Sequence, residues 1–161
     1  MSEKLKKEIF EWIKVFALAI VFAFIITQFI KPTLVRGDSM YSTLEEGDYL
    51  IINRMSYKFK EPERGDIIVF ESDLKQDDGS SKDLVKRVIG VGGDKVKIEN
   101  NKVYVNDEEL NEPYIHNEIT EGDIDTVVPD GAVFVLGDNR EISLDSRYDS
   151  VGFISKSDIL G

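Results

Sequence analysis

A serine and a lysine are the two residues in this chain whose types could together cleave an amide bond. Ser39 lies in Gly37-Asp38-Ser39-Met40, and Lys86 follows forty-seven residues later inside Leu84-Val85-Lys86-Arg87-Val88-Ile89. A hydroxyl is a weak nucleophile until a neighbouring base removes its proton. Histidine is the usual base, but the single histidine, His116, falls in the polar stretch Tyr114-Ile115-His116-Asn117-Glu118, where a surface position is expected. A neutral lysine amine can serve instead. A free lysine titrates near ~10.4, so lowering it by about 2 to 3 units costs roughly 3 to 4 kcal/mol. Burial among apolar side chains supplies that cost, because desolvation penalises the ammonium. Lys86 meets this test best: Val85, Val88 and Ile89 surround it, and strand alternation turns Arg87 to the opposite face. Each half also has a plainer reading, the first as a turn and the second as a strand lysine whose stem reaches to solvent.

Composition removes other chemistries. There is no cysteine, so disulfides and thiolate zinc sites are excluded. One histidine rules out a His-His-carboxylate metal centre, and no metal or cofactor is expected. A net charge of -11 argues against a nucleic-acid partner, since phosphate neutralisation needs clustered Lys and Arg.

The elements that must position the pair begin with an apolar run from Ile9 to Ile30, interrupted by Glu11, Lys14 and Thr27-Gln28. Twenty-two helical residues span roughly 33 Å, enough for a hydrocarbon core of ~30 Å. Trp12 is placed for an interface, and Lys4, Lys6, Lys7 and Lys14 put the amino terminus in the cytoplasm, although Lys31 and Arg36 beyond the run oppose that bias. The expected organisation is a cytoplasmic tail over 1–8, a transmembrane anchor over 9–30 and an extracytoplasmic domain over 33–161. A cleaved signal is the alternative. It would need small residues after the apolar run, yet Ala17-Leu18-Ala19 lies inside it.

Beyond Pro32, short strand-like runs alternate with turn residues. They cover Thr33 to Arg36, Tyr49 to Asn53, Asp66 to Glu71, Leu84 to Val91, Lys95 to Ile98, Val103 to Val105, Thr126 to Val128 and Ala132 to Leu136. Gly-Asp pairs punctuate them, and Glu99-Asn100-Asn101-Lys102 reads as a hairpin because Asn tolerates positive φ. The fold class is therefore mainly β, a barrel or sandwich-like domain behind a single amino-terminal transmembrane helix. Asp73 to Lys82 reads as an exposed loop, and the polar residues near 108–125 as an excursion or small insertion.

Four segments together resemble the conserved boxes of type I bacterial signal peptidases. These are Val35 to Leu44, Arg64 to Phe70, Lys86 to Asp94 and Gly137 to Arg147, in the family's order and spanning almost the whole domain. The single amino-terminal anchor is similar to the Gram-positive type. The resemblance implies an all-β catalytic domain in which Ser39 is the nucleophile and Lys86 the general base. Ser143 would orient the lysine amine, and Asp145 with Arg147 would brace its loop. Asp138 and Arg140 would be structural in that loop, unless Gly-Asp-Asn-Arg is simply a tight turn closed by its own Asp-Arg bridge. An extended substrate would lie against two strand edges, which makes Leu34, Val35, Asp38, Asp83, Leu84 and Val85 candidate substrate-binding residues. Met40 is a further candidate against the cleft, with ordinary core packing as its alternative. Implied partners are the signal peptides of preproteins, the lipid of the cytoplasmic membrane and the nearby secretion translocase. The chain departs from the family pattern at Ser42, where Pro is frequent, and at Ile142, where Asn is common. Gly37 stands where some members carry an oxyanion-donating serine, so backbone N–H groups, that of Ser39 first, would stabilise the oxyanion.

Two other classes share part of this pattern. Self-cleaving domains of SOS-type repressors use the same Gly-Asp-Ser-Met string, but in place of their DNA-binding domain this chain has an apolar helix. A membrane-tethered β-domain acting only as a binding module is the non-enzymatic reading.

Overall fold

The computed structural model describes residues 3–76, 78–115 and 119–161; His116 lies outside them. A long helix, α1 (Glu3–Phe29), leads directly into the strand-rich domain. None of its residues is buried, and Phe10, Trp12, Phe16, Phe22 and Phe24 all point outward. By length and composition it can cross a bilayer. The helix starts at Glu3 rather than Ile9, so most of the expected tail is helical. Lys6 pairs with Glu3 and Lys14 with Glu11 at the i,i+3 spacing that supports a polar helical turn.

Ile30, the expected last residue of the anchor, instead opens β1 (Ile30–Leu34), which pairs antiparallel with β2 (Tyr49–Asn53) in a two-stranded ribbon. Pro32 cannot extend a helix and is tolerated in an edge strand. A single turn, α2 (Ser56–Phe59), follows. β3 (Ile67–Lys75) and β4 (Ser81–Val91) then form a long hairpin. The expected loop from Asp73 to Lys82 is therefore shorter than those bounds, since Lys75, Ser81 and Lys82 belong to the ladder. Ser72 stands opposite Lys82, its hydroxyl donates to the Lys82 carbonyl at 2.6 Å, and pairing resumes at Lys75–Ser81 after a register shift. Backbone groups meet one another there whatever the side chains' polarity.

β4 continues into a sheet with β9 (Ala132–Leu136) and β10 (Ile154–Ser155), ordered β10-β9-β4-β3. A second sheet holds β5 (Lys95–Glu99), β6 (Lys102–Val105), β7 (Glu108–Glu109) and β8 (Ile124–Val127), ordered β7-β6-β5-β8. The β5–β6 turn uses Asn100 and Asn101 at φ 51° and 64°, the left-handed values expected of that pair. Val133 and Val135 pack with Ile68, Phe70, Val88 and Ile154, whereas Phe134 and Leu136 pack with Ile89, Val96, Ile98 and Val103. β9 is thus covered on both faces, which accounts for its unbroken apolar run. The mainly β architecture agrees with the sequence.

Two features position the site. β9 pairs with β4 only from Arg87 onward, so Ser81 to Lys86 have β3 on one edge and no strand on the other among the described residues. The polar stretch after β7 also packs down rather than projecting: Thr120 is buried, and its N–H donates to the Asn101 carbonyl at 2.8 Å.

Candidate active site

The β1–β2 ribbon extends past Leu34 because the Val35 N–H donates to the Asp48 carbonyl at 2.8 Å and the Gly47 N–H returns to Val35 at 3.1 Å. Val35 and Met40 are buried and pin the chain on either side of Gly37, whose φ of +80° makes the turn. Tyr41 N–H to Asp38 and Leu44 N–H to Met40 close it. Ser39 is left half-buried at the surface of the turn. Its carbonyl accepts the Asn139 N–H at 3.0 Å, which ties the serine segment to the loop after β9.

Lys86 arrives from β4. It is only 2% exposed, and its Nζ lies 2.6 Å from Ser39 Oγ, with the Val85 carbonyl accepting from the same amine at 3.0 Å. Burial pushes its pKa down from 10.5 to about 8, against the opposing pull of Asp145 and Asp138, while the Lys82 charge also favours the neutral amine. That displacement corresponds to about 3 kcal/mol against the ammonium.

Alternation sends Arg87 to the other side of β4. It grips Asp138 through two bonds of 2.8 and 2.6 Å, and Thr43 donates to the same carboxylate. The guanidinium also stacks 3.9 Å above the Tyr114 ring. Asp138 thereby links the strand carrying Lys86 to the segment carrying Ser39. Arg140 does not pair with its near neighbour Asp138; it reaches Glu112 and Thr120 in the polar stretch, which corrects the tight-turn alternative.

Asp145 is fully buried and accepts from the Gly137 N–H and from Arg147 Nε at 2.8 Å. Arg147 Nη2 then donates to the carbonyls of Arg140 and Ser143. Ser143 itself is buried with its N–H on the Asn139 carbonyl, but its hydroxyl has no hydrogen-bond partner among the described residues. The expected bond to Lys86 is absent because the amine is directed to Ser39 and Val85 instead. Gly137 explains how closely these segments meet: a Cβ there would collide with Ser143 Oγ and the Ser39 carbonyl.

Ser39 and Lys86 open into a cleft of about 480 Å³. Leu34, Val35, Asp38, Asp83, Leu84 and Val85 line it, on the two walls assigned from the strand edges. Met40 does not; at 1% exposure it is core beneath the turn, its apolar side chain drawn inward by the Leu44–Met40 turn. Leu50 and Leu144 also line the cleft and were not singled out in the sequence, since nothing local marks them; Ile142, noted there as a departure from the family pattern, lines it too. Among the described residues no group of three or more His, Asp or Glu is placed to hold a metal ion. A hydroxyl against a dry amine, facing an open groove between strand edges, is an arrangement for acyl transfer from an extended peptide.

Residues 9–161 match the family described as signal peptidase, peptidase S26. The chain belongs to that family. Signal peptidase IB of Staphylococcus aureus (strain COL) is 40% identical across 98% of this chain and 88% of the relative. Signal peptidase I of Bacillus licheniformis is 36% identical across 99% of this chain and 89% of its own length. A crystal structure of a signal peptidase I from Enterococcus faecalis V583 superposes with a TM-score of 0.52 at 34% identity, covering 63% of this chain and 96% of that one. Peptidases of family S26 are serine endopeptidases, so enzyme class and fold agree with the resemblance carried by the four sequence boxes.

Proposed function

We propose that this chain is a signal peptidase I that removes signal peptides from exported preproteins, with Ser39 as nucleophile and Lys86 as general base. The observation that carries the assignment is the 2.6 Å separation of Ser39 Oγ from an amine that is 98% withdrawn from solvent, its exposure being 2%. In the reactive form the amine is neutral and the Ser39 hydroxyl donates to it. At pH 7 a pKa of about 8 leaves roughly a tenth of the amines neutral, whereas a free lysine leaves well under ~0.1%.

The steps balance on these two groups. Lys86 takes the hydroxyl proton as Ser39 Oγ attacks the carbonyl carbon, giving a tetrahedral oxyanion and an ammonium. The ammonium returns its proton to the leaving amine, the C–N bond breaks, and the acyl group stays on Ser39 as an ester. Neutral Lys86 then takes a proton from water, the hydroxide attacks the ester, and Ser39 regains its proton as the peptide acid departs. Backbone N–H groups at Ser39 would receive the oxyanion, and the turn at Gly37, with open space around its Cα, allows that approach.

Helix α1 would anchor the enzyme with its amino terminus in the cytoplasm, in keeping with Lys4, Lys6, Lys7 and Lys14, and the domain on the far side near the translocase. Tyr49 and Ile51 support a lipid-facing position for the ribbon that adjoins the helix, being 86% and 72% exposed. The nine residues from Ile30 to Ser39 reach at most about 30 Å, so the dyad stays close to the bilayer. Cleavage of a preprotein by the full chain in liposomes tests the reading. Ser39→Ala and Lys86→Ala should each abolish cleavage in folded protein, and wild-type rates in either variant would overturn the assignment.

A further inference from the structure

An ion pair ties β1 to the β4 wall of the cleft. Lys31, second residue of β1, donates from Nζ to Asp83 Oδ2 on β4 at 2.8 Å. The two strands belong to different sheets, so no backbone ladder holds the walls together at this point. Lys31 lies two residues beyond the end of α1, which places the pair at the anchor side of the cleft. Asp83 lies three residues along β4 from Lys86, about 10 Å at ~3.3 Å per residue. Asp83 lines the groove with the charged groups Arg36, Asp38, Lys82 and Lys86, and Lys31 reaches it from outside that lining.

We infer that Lys31 is a specificity-determining residue: by neutralising Asp83 in the substrate groove, it stops the enzyme from selecting signal peptides by charge upstream of the cut. The inference rests on the peptidase reading above. A signal peptide's apolar segment lies in the membrane, so the residues preceding the scissile bond enter from the anchor side and pass Asp83. A bare carboxylate there would attract lysine and repel glutamate in the passing strand. With Lys31 on it, the carboxylate offers no net charge and adds no preference of its own between basic and acidic residues. The pair is part-exposed, at 46% and 38% for the two side chains, so it adds little to stability and its removal leaves the fold intact. Its effect is confined to the charge a substrate meets.

The test uses full-length enzyme in detergent and synthetic signal-sequence peptides that keep alanine at the first and third positions before the cut. Lysine, glutamine or glutamate is placed at the second, fourth or fifth position. The wild-type ratio of kcat/KM for the lysine and glutamate peptides, set by the remaining charges of the groove, is the reference. Lys31→Gln should favour lysine over glutamate by about two- to fivefold at the position nearest Asp83, mostly through KM, and the tilt should fade in high salt. Asp83→Asn should tilt the ratio the other way, and Lys31→Gln/Asp83→Asn should restore the wild-type ratio. An unchanged ratio in Lys31→Gln, or a tilt that persists in the double variant, overturns the role of Lys31 while leaving the peptidase intact. If wild-type enzyme cleaves none of the peptides, the peptidase reading itself fails and takes this inference with it.

Discussion

Lys86 and Arg87 are neighbours on β4, both cationic by type and both largely withdrawn from water, yet they are handled in opposite ways. On the cleft face, Lys86 is dried without a carboxylate in contact, and its pKa falls to about 8. On the back face, Arg87 is clasped by buried Asp138, and its pKa rises above the usual value through that bond. Arginine suits the second setting because its charge cannot be shed and its planar fork matches a carboxylate. Lysine suits the first because its proton can leave. One strand therefore carries the proposed base and a structural clamp at adjacent positions, separated only by the alternation of side chains.

The contrast can be broken most severely at the base. Lys86→Ala should lower kcat on a preprotein by roughly 10²- to 10⁴-fold or more while a denaturant titration still shows a folded domain. Asp138→Asn attacks the clamp and should leave Arg87 charged and unpaired, costing about 3 to 5 kcal/mol in denaturant unfolding. Lys86→Met should do the reverse. In the folded wild type the amine releases its proton near pH 8, but in the unfolded chain near 10.5, so the unfolded state binds more protons between these values and wild-type stability rises with pH there. The variant should be more stable than wild type by about 1 to 3 kcal/mol at pH 7, a gain that shrinks toward zero as pH rises from 8 to 10.5. A constant difference across that range would show that Lys86 is not desolvated.

Gly137→Ala should bring Ser39 and Ser143 out of register, with loss of activity and about 1 to 3 kcal/mol of strain, checked by peptide cleavage and thermal unfolding together. The smallest effect concerns pH. The acid limb of kcat/KM should lie near pH 8, and Lys82→Gln should move it to higher pH by removing a like charge that favours the neutral amine. A limb that stays in place would mean that Lys82 is fully screened.

Much of the site was legible because its parts are short and local. Gly37 to Met40 and Leu84 to Ile89 each carry their meaning within a few residues, and the walls of the cleft follow from which strand edges precede them. Met40 was left between cleft and core because a turn's sequence does not say which of its side chains points inward; the chain around it puts Met40 in the core. Ser143 was expected on the lysine amine, but which acceptor an amine chooses depends on angles and depths that spacing does not encode. The loop from Asp73 to Lys82 was read too long for a related reason: antiparallel pairing satisfies the backbone whatever the side chains, so Lys75, Ser81 and Lys82 join a ladder without an apolar pattern.

The sequence by itself determined the apolar helix, the strand-rich domain and the family, and singled out the proposed pair Ser39 and Lys86, since each is written in contiguous residues and their order. Only the tertiary structure decided which charges meet. Lys31 finds Asp83 across 52 positions, Arg87 finds Asp138 across 51 and Arg140 finds Glu112 across 28. Those meetings depend on strand register and on how separate sheets pack, and they fix which carboxylate each cation faces.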